Sequence, residues 1–64
     1  MKQEIENQKE FAIELKEELE YRGYLQLELS KATYIPIHRL RSFIRGVSTL
    51  NTDEIKRIKK TLEI

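Results

Sequence analysis

The sequence contains no cysteine and no tryptophan, and it has one histidine, one proline and two glycines. The absence of cysteine excludes disulfide bonds and cysteine-ligated zinc, the usual reinforcements of a very small fold. A single histidine, the scarcity of acids after residue 30 and the lack of a glycine-rich phosphate loop leave no groups with catalytic or metal-ligand spacing. We therefore expect no enzymatic activity, no metal and no cofactor.

Long apolar runs are also absent. None approaches the roughly 18–20 residues of a membrane span, and residues 1–10 are polar and acidic, unlike a signal peptide. We expect a cytoplasmic protein without membrane contact. Its 64 residues make one domain, and a chain of this size buries only about 60% of its unfolded surface.

The charges are unevenly distributed along the chain, although the net charge is only +1. Residues 1–22 carry four Lys or Arg and seven Glu, whereas residues 23–64 carry eight Lys or Arg and four Asp or Glu. No acid lies between Ala32 and Asp53. The asymmetry indicates a polyanionic partner for one face; the alternative is a pair of ordinary solvated helix faces.

Apolar residues at helical spacing predict the first two helices. Phe11 begins a stripe with period four that ends at Gly23, a residue typical of the position just past a helix. Residues 1–10 either extend this helix or fray. The second helix is predicted over about 26–33, with Leu25, Leu29 and Ala32 inward and the small Ser30 allowing a close helix crossing.

Pro36 marks the start of a third helix. Proline is tolerated in the first helical turn and biases Ile35 away from the α region, which places a turn at Tyr34–Ile35. The helix is predicted over 36–45, closed by Gly46.

The last helix has a local start signal. Asn51 and Glu54 have the spacing of a capping box, and Leu50 with Ile55 has that of a hydrophobic staple. The cations on its outer face are expected to be solvated: Lys56, Arg57, Lys59 and Lys60. The prediction is thus an all-α fold of four helices whose core contains Phe11, Leu15, Leu19, Leu25, Leu29, Ala32, Ile35, Leu40, Phe43, Ile55, Ile58 and Leu62.

Residues 11–64 resemble the helix-turn-helix DNA-binding domain of the phage lambda repressor and Cro type, with residues 1–10 as an extension. The first-helix stripe ending at Gly23, the segment Gln26-x2-Leu29-Ser30, the pair Ile35-Pro36 and the pair Arg45-Gly46 match successive parts of the family pattern. The resemblance implies a four-helix lambda-repressor-like domain whose third helix enters the DNA major groove, the geometry for which these phage proteins are the standard example.

Three features depart from that pattern. Tyr34 stands where the family usually has a glycine with positive φ, so the turn is either strained or differently shaped. The segment Val47-Ser48-Thr49 lacks the cations common after the recognition helix. The sequence also ends where many relatives continue with a dimerising helix or strand.

Carried over by position, the resemblance assigns the contacts to DNA. Ile37, His38 and Ser42 would face base edges, and Gln26 and Arg45 would meet the backbone. Arg39 and Arg41 would each bind a guanine or a phosphate. The alternative for the arginines is a solvated helix face.

The resulting hypothesis is a sequence-specific regulator, a repressor or Cro-like protein that binds an operator as a homodimer. The competing hypothesis is an antirepressor or other protein-interaction module, which would use the acidic first helix, an Ile37/Ile44 stripe or other apolar residues. An antitoxin or excision cofactor would share the DNA chemistry. The candidates for an exposed dimer contact are Ile5, Ile13, Val47, Leu50 and Ile64.

Overall fold

The computed structural model describes the backbone of residues 2–64 and the side chains of residues 8–64. The chain is all-helical over this range, without a strand, and the predicted four-helix all-α fold is confirmed. The elements are α1 (Lys2–Arg22), α2 (Gln26–Thr33), α3 (Ile37–Ile44) and α4 (Thr52–Leu62). The third helix is one residue shorter at each end than predicted, because Pro36 and Arg45 occupy its two cap positions.

Helix α1 passes through residue 10 without interruption, so the helical alternative for the extension is the one observed. The side-chain amide of Gln8 forms two hydrogen bonds with Leu50, donating to its carbonyl and accepting from its N–H, both at 2.9 Å. The extension therefore contacts the body of the domain. The side chain of Ile5, a candidate dimer contact, lies outside the described residues.

Both glycines end helices, as predicted. Gly23 and Gly46 have φ values of +66° and +81°, the left-handed conformation that a glycine adopts without strain. The residues that follow them close the helices with backbone hydrogen bonds: Tyr24 donates to Leu19 at 2.8 Å, and Val47 donates to Ser42 at 3.0 Å. This pattern is the Schellman motif, and it fixes where α1 and α3 stop.

One apolar core joins the four helices, with α1 packed on α3, and α2 packed on both α3 and α4. Most of the predicted core is buried, while Phe11 and Ile55 are only partly buried against it. Phe11 packs against the ring of Phe43, and the two ring centroids are 6.0 Å apart. The core consists of Ala12, Leu15, Leu19, Leu29, Ile35, Leu40, Phe43, Ile44, Leu50, Ile58 and Leu62.

The prediction was wrong for the inward face of α2. Leu25 is 64% exposed because it precedes the helix as its N-cap, with extended dihedrals, and so does not follow the helical stripe. Ala32 is exposed as well, since the buried face of α2 runs through Leu29, Ser30 and Thr33. A buried polar pair thus replaces part of the expected apolar contact.

The two buried hydroxyls of α2 are both hydrogen-bonded. Thr33 donates to the carbonyl of Leu29 at 2.7 Å, within the helix. Ser30 donates to the carbonyl of Ile35, across the turn that leads to α3. Ser30 thereby satisfies a backbone group that the turn leaves without a helical partner.

The predicted capping box of α4 is confirmed. The N–H of Glu54 donates to the Asn51 side chain at 2.8 Å, and the N–H of Asn51 donates to Glu54 Oε1 at 2.9 Å. Leu50, just before the cap, is buried in the core. The prediction that Leu50 is an exposed dimer contact was therefore wrong, because its side chain packs in the core.

Candidate functional site

Helix α3 is held by one face and exposes the other. Leu40, Phe43 and Ile44 are buried beneath it. The predicted DNA contacts of α3 and its C-cap lie away from this buried face. Ile37 and Ser42 are half-buried there. The other four are exposed: His38, Arg39, Arg41 and Arg45. An alternative reading of Ile37 and Ile44 as a joint protein-binding stripe was wrong, because Ile44 is only 8% exposed and belongs to the core.

The exposed residues divide by their position around the helix, at 3.6 residues per turn. His38, Ser42 and Arg45 lie near the centre of the outward face. Arg41 lies at the edge nearest α2, and Arg39 lies at the opposite edge, nearest α4. The two arginines therefore have different neighbours, although the resemblance assigned both of them the same role.

Gln26 and Arg41, both predicted DNA contacts, line the same surface depression. The depression has a volume of about 550 Å³ and is bounded by the end of α1, the start of α2 and α3. Gln26 is the first residue of α2, and the N-cap residue before it, Leu25, supplies no side-chain hydrogen bond to the helix. At this helix start the side chain of Glu28 accepts the N–H of Leu25 at 3.0 Å, while the N-cap residue offers no side-chain acceptor to the N–H groups of the first turn.

Residue 34, in the turn between α2 and α3, has the positive φ that is usual for a glycine at this position. Tyr34 has φ +60° and ψ +29°, the left-handed conformation, and 85% of its surface is exposed. Its neighbour Ile35 is buried. The turn thus keeps the geometry that favours glycine and places an aromatic residue in it. Such a conformation costs a residue with a Cβ about 1–2 kcal/mol.

Arg39 forms an ion pair that the sequence analysis missed. Its Nη2 lies 2.5 Å from Glu54 Oε1, and its Nε donates to Oε2 at 3.3 Å. The side chain of Arg39 is 44% exposed, whereas that of Glu54 is 8% exposed. The sequence has no acid between Ala32 and Asp53, and the partner of Arg39 lies just beyond that stretch, 15 residues away.

Several charged and polar groups converge on Glu54. Burial disfavours its ionised form, but hydrogen bonds from Arg39 and the Asn51 N–H, together with the charges of Arg39 and Arg57, outweigh that effect and lower the pKa of Glu54 below its ordinary value. The carboxylate therefore stays ionised at neutral pH. It joins α3 to the start of α4.

Two other arginines bind the ends of helices. Arg57 donates through Nη1 to the carbonyl of Thr33 at 2.8 Å, at the C-terminus of α2. Arg22 donates to the carbonyl of Leu62 at 2.9 Å, at the C-terminus of α4. These bonds satisfy carbonyls that helix ends leave free. Arg57 was thus wrongly placed among the purely solvated cations of α4.

Exposed apolar side chains lie at several separate places. Three of the proposed dimer contacts, Ile13, Val47 and Ile64, are between 51% and 67% exposed. Leu25 and Leu27 line the same depression as Gln26 and Arg41. The exposure of the three dimer candidates is as the sequence predicted, and the dimer itself stays a prediction.

Within the described part of the chain, no helix combines the length and apolar character needed to cross a membrane. The same residues contain no cluster of three or more potential metal-binding side chains. The chain gave no significant match to the models of known protein families, to curated proteins or to solved structures.

Proposed function

We propose that this domain is a cytoplasmic helix-turn-helix regulator of the lambda repressor and Cro kind, which binds duplex DNA with α3 in the major groove. The observation that carries the proposal is the outward face of α3. It presents His38, Ser42, Arg41 and Arg45 on a helix whose other side is fixed in the core. A major groove about 12 Å wide accepts one helix, and such a face offers donors and acceptors to base edges and cations to phosphates.

The chemistry of each side chain gives it a role in this complex. His38 and Ser42 donate or accept at base edges, and the half-buried Ile37 packs on a thymine methyl group. Gln26 binds a phosphate together with the N–H groups of the first turn of α2, and Arg41, which lines the same depression, adds its positive charge. Arg45 meets the backbone at the far end of α3.

Recognition through one short helix covers few base pairs, so the proposal includes a homodimer on two half-sites about one helical turn apart. Its surface would be drawn from Ile13, Val47 and Ile64, which are exposed and apolar.

The test uses the purified chain and a duplex selected from a randomised pool. Binding is followed by fluorescence anisotropy over a range of salt concentrations. The proposal predicts selection of a consensus site and an affinity that falls steeply as salt rises. Arg41→Ala should weaken binding and flatten the logarithmic salt slope by about 0.9 if the side chain neutralises one phosphate.

Lys60→Ala is the matched control, because it removes the same charge from an exposed position on α4. It should leave both the affinity and the salt slope close to those of the parent chain. A folded protein without affinity for any duplex at low salt would refute the proposal, and so would equal effects of Arg41→Ala and Lys60→Ala.

The second candidate is a protein-interaction module that keeps this fold, such as an antirepressor. The exposure of Leu25, at 64%, and of Tyr34, at 85%, favours it, since these large side chains at the two ends of α2 are available to a partner. This function predicts that Leu25→Ser abolishes binding of a partner protein while duplex DNA has no effect on the chain.

A further inference from the structure

We infer that Glu54 is a positioning residue, which holds Arg39 so that its guanidinium reads a guanine edge and does not clamp a phosphate. The inference rests on the proposed function and specifies how that site discriminates among sequences. It assigns the two arginines at opposite edges of α3 to different tasks. Arg39 contributes sequence preference, and Arg41 contributes general affinity.

The position of the Glu54 carboxylate is fixed independently of Arg39. Its Oε1 accepts the N–H of Asn51 at 2.9 Å as half of the capping box, and the residue is 6% exposed. Because the cap ties this side chain to the backbone N–H of Asn51, the carboxylate is restrained and does not readily follow a moving partner. It is a fixed anchor for any cation that binds it.

Arg39 is held by two points on that anchor, at Nη2 and at Nε. A guanidinium has five N–H groups in a rigid plane. The two bonds to Glu54 therefore fix the direction of the N–H groups that do not contact the carboxylate. Three N–H groups are left for a ligand, on a side chain that is still 44% exposed. Arg39 is thus oriented before it meets DNA, which reduces the side-chain entropy lost on binding.

The ion pair also changes what Arg39 attracts. The charge of Glu54 offsets much of the long-range attraction between the guanidinium and a phosphate, whereas the directed N–H groups keep their full capacity to donate. A guanine presents two acceptors, O6 and N7, which match such a fork. Among the described residues no carboxylate lies within ion-pair distance of Arg41, so that side chain keeps its full charge for the backbone.

The experiment compares the parent chain with Glu54→Gln on the selected duplex and on its single-base variants. Glutamine keeps an oxygen that can accept the Asn51 N–H, but it loses the charge that holds Arg39. We expect the preference for guanine at one position to fall by about 5- to 150-fold, the range of one bidentate pair. The salt slope should steepen by up to about 0.9, because a released arginine can neutralise a phosphate.

Asp53→Asn is the matched control, since it removes one negative charge from the adjacent residue, whose side chain is 78% exposed and pairs with Arg57 at 3.1 Å, not with Arg39. It should leave the base preference unchanged. Arg39→Lys provides a second variant that keeps the charge and the fold but loses the fork, and it should lose the same guanine preference as Glu54→Gln. Circular dichroism confirms that each variant is folded at the assay temperature.

A double-mutant cycle separates positioning from a general structural effect. In the Arg39→Ala background, Glu54→Gln should have no further influence on base preference. Equal losses with and without Arg39, or full preference in Arg39→Lys, would overturn the inference while leaving DNA binding intact. Absence of duplex binding by the parent chain would instead overturn the proposed function, and this inference with it.

Discussion

The side-chain amide of Gln8 pairs with both backbone groups of Leu50, 42 residues further along the chain, through two hydrogen bonds of 2.9 Å. One amide thereby holds the end of the loop that leads into α4 against the early part of α1. The side chain of Leu50 is buried in the core, so its backbone position is fixed from both sides. The loop between α3 and α4 begins at a second fixed point, the bond from Val47 to Ser42.

Gln8→Ala should destabilise the domain by about 1–3 kcal/mol, because it leaves a part-buried donor and a part-buried acceptor without a partner. For a chain of this size, each kcal/mol lowers the melting temperature by roughly 4–8 °C. Thermal unfolding followed by circular dichroism measures the change. Lys9→Ala, at the exposed neighbouring position, is the control. If both variants melt at the same temperature, the pair with Leu50 does not stabilise the fold.

Tyr34→Gly should stabilise the domain by up to about 1 kcal/mol. The left-handed conformation at φ +60° costs a residue with a Cβ about 1–2 kcal/mol, and the greater freedom of glycine in the unfolded chain offsets part of the relief. Little packing is lost, since the side chain is 85% exposed. Urea denaturation gives the free energy, and Tyr34→Ala, which keeps the strain, separates the backbone effect from loss of the ring. A less stable glycine variant would show that the ring itself contributes.

The stability of the domain should depend on pH through Glu54. Its pKa is lower in the folded protein than its ordinary value, so the folded state favours the ionised carboxylate. The stabilisation is fully present above the unfolded-state pKa of about 4.3. It is lost progressively as the pH falls through the lowered pKa.

Urea denaturation at intervals from neutral pH to about pH 3 tests this dependence. The parent chain should be more stable than Glu54→Gln at neutral pH, and the difference should shrink as the carboxylate is protonated. Asp53→Asn serves for comparison, because Asp53 is far more exposed. A difference between parent and Glu54→Gln that stays constant across the range would contradict the assigned electrostatic role.

Local patterns in the sequence predicted much of the fold. The helix ends at Gly23 and Gly46 and the cap at Asn51 each depend on a few adjacent residues, so they can be derived without the tertiary structure. The inward face of α2 was mispredicted because Leu25 was counted as helical. As an N-cap it points away from the stripe that periodicity would assign it.

The candidate site was predictable in its outline. The outward face of α3 follows from helical periodicity, and the exposure of His38 and Arg41 agrees with it. The ion pair of Arg39 with Glu54 was not predictable, because it joins residues that no periodic pattern relates. Glu54 already had a sufficient local explanation as the partner of Asn51, and no sequence pattern indicated its second role.

The double use of Glu54 constrains how this protein can change over evolutionary time. If α3 reads DNA as we propose, replacing Arg39 would change the base preference, but it would also leave a buried carboxylate that α4 still requires at its N-terminus. Loss of one partner of a buried charge is far more destabilising than loss of an exposed cation. Under the proposed function, a change of DNA target is therefore easier through His38 or Ser42, whereas a change at residue 39 calls for a compensating change at residue 54.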